Sequence, residues 1–225
     1  MTAHDAGDGV VVSNATASGG TVLRRLVLLG TPLALALLEI FHPERPSGAS
    51  EAVEQAEWFM WFHIIQVPLI GLIALAVFLL TDGLEGRAVS VSRWAIGVFA
   101  VFFSAYDAAA GIGTGYAMRI AKGFSAEGQA AVYEAVKDLP LLSLPFGLSV
   151  VGTLAWAVAL IASAIALRHA GASIGPFILL ILAGVFLMGG HPYPYGTLAF
   201  GCFFLGTTWL EFAQRGIRAP EGGSP

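Results

Sequence analysis

The sequence has 225 residues, of which 56% are hydrophobic and 12% are charged. Soluble domains carry about 25% charged residues, so this composition excludes an ordinary water-soluble domain. The net charge is -4 and no basic cluster occurs, which excludes nucleic acid as a partner because nothing would neutralise its phosphates. The single cysteine, Cys202, excludes an intramolecular disulfide and any metal site built from several cysteines. The composition predicts an integral membrane protein whose main partner is the lipid bilayer.

Long apolar runs follow one another along the chain, with short polar connections between them. A helix that crosses the hydrocarbon core needs about 20 apolar residues. We therefore predict an all-α helical bundle in the cell membrane, with six transmembrane helices in a domain over residues 22–213. The connection 125–137 is predicted to form a short surface helix with Ser125 as its N-cap. The predicted spans are 24–41, 58–80, 94–116, 139–167, 174–188 and 196–212.

The two ends of the chain differ from this apolar domain. Residues 1–21 are rich in Gly, Ser, Thr, Ala and Asp without periodicity, which predicts a disordered tail. Arg24 and Arg25 precede the first apolar run, which is either an uncleaved helix or a signal peptide with a twin-arginine character. The long preceding tail and the lack of a clear cleavage site favour the uncleaved helix. Residues 214–225 are predicted to form a cytoplasmic tail.

Lysine and arginine are distributed unevenly between the two sides of the predicted six-helix topology. With the N-terminus inside, seven of them flank the inner side and four flank the outer side. Because cytoplasmic loops carry an excess of these residues, the bias predicts that both termini are cytoplasmic. The inner set is Arg24, Arg25, Arg87, Arg93, Arg168, Arg215 and Arg218, and the outer set is Arg45, Arg119, Lys122 and Lys137.

This topology brings several polar side chains to the same, outer half of the membrane. Glu39 and His42 lie at the outer end of the first span, three residues apart and therefore on one helix side. His63 lies in the outer half of the second span. Asp107 lies just past the midpoint of the third span, and His191 follows the fifth. Ionisable residues inside a membrane are costly and usually functional, so we predict one polar site near the outer surface.

The residue types in this predicted site are those of a metal centre. Three imidazoles with a carboxylate suit zinc or iron, so His42, His63 and His191 are predicted metal ligands. Asp107 and Glu39 are predicted to act as general base or proton carrier. Zinc with three protein ligands would leave a position for water, which suits hydrolysis of a lipid-like or amide substrate. Two facing histidines at similar depth would instead hold a b-type haem and support redox chemistry.

Smaller polar residues on the same helix faces are candidates for substrate contacts. Gln66 shares a face with the histidine of the second span, and Ser104 and Thr114 belong to a stripe of small and polar residues on the third. Gly111 and Gly115 in that stripe form a GxxxG pair, which is typical of close helix packing. Glycine-rich faces of this kind also favour a homo-oligomer.

Two other classes of function explain the same residues. In a small transporter or channel, Asp107, His63 and Glu39 would relay protons or hold a cation. In a non-catalytic scaffold subunit, the polar residues would only hold helices together. The sequence contains no P-loop, dinucleotide fingerprint or HExxH motif that would decide between these classes and an enzyme.

Overall fold

A computed structural model gives the fold and describes residues 15–44, 46–137 and 147–213. These residues are 85% helical and contain no strand. The all-α prediction is therefore confirmed for the described part of the chain. Most of the predicted N-terminal tail, the beginning of the fourth predicted span and the C-terminal tail lie outside the described residues.

Seven helices follow one another along the described chain, and two of them contain a π-helical segment. The connections depend on glycine where the chain turns sharply, because Gly171 and Gly190 have φ of 93° and 111°, which other residues rarely adopt. The helices are α1 (Ala15–Arg25, continued by the π-helical Leu26–Gly30 and by Thr31–Ile40), α2 (Ala49–Leu80), α3 (Arg87–Tyr106, continued by the π-helical Asp107–Gly113 and by Thr114–Ala121), α4 (Ala126–Lys137), α5 (Leu148–His169), α6 (Ile174–Phe186, continued by the 3-10 turn Leu187–Gly189) and α7 (Tyr195–Ala213).

Four of these helices are long and apolar enough to cross a membrane, as judged by length and composition. They are the part of α1 over Gly20–Ile40, the whole of α2, α3 over Arg87–Ala121, and α5. The apolar stretch Ile174–Gly189, which contains α6, is shorter. Helix α7 is long enough but carries more polar residues, including Glu211 near its end. Four candidate spans are thus present, and the full count of six stays a prediction.

The surface of the long helices carries large apolar side chains, as contact with lipid requires. Trp94, Val101 and Phe41 are exposed by 80%, 67% and 66%. The interior is closely packed, and the buried Trp156 donates its Nε1–H to the carbonyl of Ala183 at 2.9 Å. An apolar exterior around a packed interior is the pattern of a membrane protein. The largest buried core side chains include Trp156, Phe99, Phe103, Phe200, Phe203, Ile70 and Ile73.

Consecutive long helices run in opposite directions, so polar residues near helix ends gather at two ends of the bundle. At one end, Arg24 Nη1 donates to Glu211 Oε1 at 2.6 Å and joins the start of α1 to the end of α7. We call this the arginine end. The opposite end, which holds His42, His63 and His191, is called the histidine end.

Several helices are longer than the spans predicted for them. Helix α2 begins at Ala49 instead of residue 58, and α3 extends from Arg87 to Ala121 instead of from 94 to 116. Helix α1 begins at Ala15, so its first residues fall within the stretch 1–21 for which a tail is predicted. The physical reason is that hydropathy marks where a helix leaves the lipid, whereas backbone hydrogen bonding continues through polar residues with good helix propensity.

A small layer lies over the histidine end of the long helices. It contains α4, the predicted surface helix, which is confirmed together with its N-cap because Ser125 Oγ accepts from the Gly128 N–H at 3.3 Å. Tyr133 Oη donates to the Pro46 carbonyl at 2.7 Å, which ties α4 to the loop after α1. We call α4 the cap. The apolar cluster beneath it is made of Ala52, Ala56, Met118 and Ala121 with Val53, Val132, Tyr133 and Val136.

Candidate metal centre

Three histidines from separate parts of the chain meet at the histidine end. His42 follows α1, His63 lies in α2, and His191 lies in the turn between α6 and α7. One ring nitrogen of each lies within 4.8 Å of the other two. Metal–nitrogen bonds of about 2.0–2.1 Å in a tetrahedral site place nitrogen ligands roughly 3.3 Å apart. Small side-chain rotations would therefore bring all three imidazoles onto one ion.

Two of these imidazoles are held in place by backbone carbonyls. Nδ1 of His42 lies 2.7 Å from the carbonyl oxygen of Pro43, and Nδ1 of His63 lies 2.7 Å from that of Phe59. A carbonyl oxygen only accepts, so both Nδ1 atoms donate and each neutral ring keeps its lone pair on Nε2. Nε2 of His42 is buried and has no hydrogen-bond partner among the described residues. Histidines that bind metals are usually oriented in this way, through a hydrogen bond from the other ring nitrogen.

His191 lies between two buried carboxylates. Its Nδ1 is 3.7 Å from Glu39 Oε2, and its Nε2 is 4.0 Å from Asp107 Oδ1. Gln66 Nε2 donates to Glu39 Oε1 at 2.6 Å. Glu39 Oε2 and both oxygens of Asp107 are without a hydrogen-bond partner in the described part of the chain. Whichever nitrogen of His191 faces an ion, the other nitrogen faces a carboxylate, which is the usual partner of a metal-bound imidazole.

His42 and His191, the two histidines of the site that lie outside the helices, are uncharged at neutral pH. Burial lowers the pKa of His191 to about 4. Burial, followed in effect by the neighbouring His191 and His63, lowers the pKa of His42 to about 3. A metal binds the neutral form of imidazole, because the proton and the metal compete for the same lone pair. Neither ring therefore has to lose a proton before it can bind a metal.

The helix type of α3 changes at Asp107. Helix α3 is π-helical over Asp107–Gly113, and such segments are frequent at functional sites. Asp107, Gly111 and Gly115 are buried in four-residue steps, whereas Ser104 and Thr114 are half-buried. The prediction placed these residues on one face at ordinary helical spacing. In the structure three of the five residues are buried and two are half-buried, and the π-helical segment, whose turns contain more residues than α turns, lies among them.

Gly111 and Gly115 allow α2 and α3 to approach each other closely. A Cβ atom at position 111 would overlap the imidazole of His63, and one at position 115 would lie 2.8 Å from the backbone nitrogen of Met60. The predicted GxxxG pair therefore packs inside this chain and is not an exposed face for a second copy. A homo-oligomer formed through other glycine-rich faces stays a prediction.

A cavity of about 700 Å³ lies over the three histidines, and all three line it. Thr114, one of the predicted substrate contacts, belongs to the lining. Gln66 and Ser104 do not belong to its described lining, so the structure does not bring these two residues to the cavity. Substrate binding by Thr114 stays a prediction.

The two carboxylates do not face this cavity. Glu39 and Asp107 are both 0% exposed, and neither belongs to the described lining. They lie against His191 instead. The predicted role of general base, which needs direct contact with a substrate or its water, therefore has no support in this geometry. Their position suits the orientation of His191.

The sequence patterns did not single out most of the residues that line the cavity. Phe59 precedes His63 by four residues, and this helical spacing could have indicated a shared face. Tyr106, Tyr133 and Glu44 also line the cavity. These three residues line the cavity because of how α3, the cap and the loop after α1 pack together. The sequence carries no local signal for that packing.

The fold and the site define a class of protein: one whose described residues are helical, with four helices long and apolar enough to cross a membrane and a buried cluster of histidine, glutamate and aspartate that could hold a metal ion. No protein-family model, curated protein or solved structure gives a significant match to the chain.

Proposed function

We propose that the protein is a membrane-embedded metalloprotein in which His42, His63 and His191 hold one divalent metal ion. The observation that carries this proposal is the approach of their ring nitrogens to within 4.8 Å, from three separate parts of the chain. Two buried carboxylates beside His191 add to it, because a divalent cation would offset their charge and the described residues place no lysine or arginine against either of them. Three imidazoles favour zinc over iron, which more often takes two histidines and a carboxylate.

The contacts between the imidazoles favour an ion over a b-type haem. The ring centroid of His42 is 4.6 Å from that of His191 and 5.4 Å from that of His63, and both contacts are edge-to-face. A haem with two histidine ligands lies between its two imidazoles, one on each face of the macrocycle. Because the imidazole rings contact each other directly, no space is left between them for that macrocycle.

Hydrolysis is the chemistry that best suits such a centre. Zinc with three protein ligands keeps a fourth position for water and lowers the pKa of that water to about 7. Here the open position would face the cavity, because the three histidines line it and the carboxylates lie behind them. We assign Glu39 and Asp107 to holding His191 in place and offsetting the charge of the ion.

A transport pathway has less support than a metal centre. A proton or cation relay needs polar groups or water along the whole path across the membrane. Between the histidine and arginine ends, the described core is made of large apolar side chains such as Phe99, Trp156 and Phe200. If the protein binds no metal, the non-catalytic scaffold role is the remaining alternative.

We also propose that the chain crosses the cell membrane six times with the arginine end in the cytoplasm. Arg24 and Arg25 lie at this end, as do Arg87 and Arg93 at the start of α3 and Arg168 near the end of α5. An excess of arginine on one side is typical of the cytoplasmic face. The histidine cluster would then lie at the outer face.

Metal analysis of the full chain tests the proposed function. Protein expressed with zinc and iron supplied, then purified in detergent, is expected to contain about one zinc ion per chain, since three imidazoles complete one tetrahedral site with water. Mass spectrometry with inductively coupled plasma measures the metal, and an absorption spectrum tests for haem. Metal-free protein that also fails to bind added zinc would overturn the proposal. A haem absorption band with no zinc would do the same.

The Asp107→Asn variant is expected to bind zinc about 10–100-fold more weakly, the usual cost of losing a residue that orients a ligating histidine. The amide has nearly the same shape, so the packing of α3 is preserved while the negative charge beside His191 is lost. Competition with a chromophoric chelator measures the affinity. Asp82→Asn is the matched control, because Asp82 is an exposed carboxylate after α2. Equal affinity in both variants would remove Asp107 from the site.

A further inference from the structure

The cavity over the histidines is lined by two kinds of surface. Its apolar lining comes from α3, α5 and the end of α6 and includes Phe103, Val150 and Met188. Its polar lining includes Lys137 from the cap and Glu44 from the loop after α1. A volume of about 700 Å³ falls within the range of about 300–1,000 Å³ that encloses small-molecule ligands. The lining therefore suits an amphipathic ligand.

Exposed aromatic side chains place the histidines at a membrane boundary. Trp61 precedes His63 by two residues and is 54% exposed. Tyr193 follows His191 by two residues and is 65% exposed. Tryptophan and tyrosine concentrate where lipid headgroups meet acyl chains. The site thus lies near that level of the bilayer, and not in the middle of the hydrocarbon core.

A second group of exposed aromatic residues marks the other boundary. Trp94 at the start of α3 is 80% exposed, and Trp209 near the end of α7 is 46% exposed. At a rise of about 1.5 Å per residue, Trp94 and the exposed Tyr116 lie roughly 30 Å apart along α3. This separation matches the hydrocarbon thickness of a typical bilayer, ~30 Å. The two groups therefore enclose one hydrocarbon core, with the histidines at one of its boundaries.

We propose that the cavity binds a membrane lipid and presents its ester or amide linkage to the three histidines. In a bilayer, these linkages lie at the boundary between headgroups and acyl chains, which is the level of the site. The acyl chain would lie along the apolar lining, and the headgroup would lie under the cap near Lys137 and Glu44. The inference rests on the proposed metal site and names the class of its substrate.

The reaction expected of this complex is hydrolysis by one water molecule. The bond between the carbonyl carbon and the ester oxygen or amide nitrogen breaks, and the carbon gains the hydroxyl of water. The leaving alcohol or amine takes the remaining proton. The products are a fatty acid and the deacylated alcohol or amine that remains of the lipid, with no change of oxidation state. The chain's own part is to hold the linkage against the histidines while the apolar lining binds the acyl chain.

Three photoreactive palmitoyl lipids that differ only in their linkage test the proposal on the full chain in detergent. One carries an ester, one an amide, and one an ether that water does not cleave. All three are expected to cross-link to peptides of α3 and α5 that line the cavity. Palmitate, measured by mass spectrometry, is expected from the ester or the amide, and the comparison shows which linkage is the substrate. Cross-links confined to lipid-facing surfaces of the wild-type protein would overturn the proposal.

Cavity-filling variants give a second readout. Ala110→Trp fills the cavity from α3 and is expected to reduce ether cross-linking at least about tenfold, with bound zinc retained. Ala105→Trp is its control, because Ala105 is exposed on the same helix. Thr153→Trp fills the cavity from α5, and its control is Leu154→Trp, where Leu154 is 45% exposed. If Ala110→Trp does not fold, Thr153→Trp is compared with Leu154→Trp instead.

The outcomes separate lipid binding from metal binding. Unchanged cross-linking in a folded, zinc-loaded cavity-filling variant would overturn the lipid proposal and leave the metal centre standing. Cavity-dependent cross-linking in a protein without metal would support lipid binding and overturn the proposed function. Zinc-loaded protein that binds all three lipids in the cavity and releases no palmitate would overturn the hydrolytic step.

Discussion

Replacing His63 by alanine is expected to reduce bound zinc from about one ion per chain to a trace, because two imidazoles do not complete a tetrahedral site. The affinity is expected to fall by more than about 100-fold, above the usual cost of losing only the hydrogen-bond partner of a ligand. The variant removes a ring that contacts both His42 and His191. Metal content after dialysis against a weak chelator measures the effect.

Thermal unfolding provides an independent measure of the same loss. A ligand that binds only the folded state stabilises it by about 2.7 kcal/mol at a free concentration 100-fold above its Kd. Added zinc is therefore expected to raise the Tm of the wild-type protein and to leave that of His63→Ala unchanged. His169→Ala is the control, since His169 is an exposed histidine at the end of α5. Full zinc content in His63→Ala would exclude His63 as a ligand.

The grouping of the site residues could be predicted from helix order. Because consecutive helices run in opposite directions, the end of α1, the first half of α2 and the turn before α7 lie at the same end of the bundle. His42, His63 and His191 meet there, as the prediction required. The argument depends only on the alternation of direction. It therefore holds although, among the described residues, four helices meet the length and hydropathy of a membrane span.

The internal geometry of the site could not be predicted in the same way. The sequence does not show that the Nδ1 atoms of His42 and His63 bond to backbone carbonyls, because that depends on side-chain rotamers. It also does not show the π-helical segment that begins at Asp107, since the stripe of small and polar residues on the third span fits ordinary helical spacing. These two features decide which atoms face the cavity. The prediction gave the carboxylates contact with a substrate, whereas Glu39 and Asp107 do not belong to the described lining of the cavity.

The cavity and the cap depend on contacts between distant parts of the chain. Tyr133 in the cap donates to the carbonyl of Pro46, and these residues are 87 positions apart. Hydropathy identified the cap as a surface helix but gave no information on what it covers. Whether such a helix encloses a cavity or lies flat on the membrane is decided by tertiary packing. Sequence reasoning therefore predicted the grouping of the three histidines and missed the cavity and the cap around them.

Replacing Gly111 by alanine is expected to displace the His63 imidazole and to abolish zinc binding although every predicted ligand is still present. The added Cβ would occupy the position of the His63 ring atoms, so either the ring or the α2–α3 contact has to move. Overpacking of this kind costs about 1–3 kcal/mol of stability. Zinc content and the Tm of the zinc-free protein measure the two effects separately.

Gly113→Ala is the matched control for Gly111→Ala. Both glycines belong to the same π-helical segment, and a Cβ at position 113 would make only an ordinary contact, 3.5 Å from the Ala108 carbonyl oxygen. Equal losses of zinc in the two variants would show that the segment responds to any added methyl group. Such a result would contradict a specific contact between Gly111 and His63.

A double-mutant cycle distinguishes a local clash from a general loss of packing. In the His63→Ala background, the ring atoms nearest to position 111 are absent, and Cβ is the side-chain atom of residue 63 that remains. Gly111→Ala is therefore expected to cost less stability there than in the wild-type protein, by about 0.5–3 kcal/mol of coupling energy between contacting residues. Equal costs in both backgrounds would show that another neighbour resists the methyl group. The site would then not depend on the fit of an imidazole against a glycine, and the zinc loss in Gly111→Ala would need another cause.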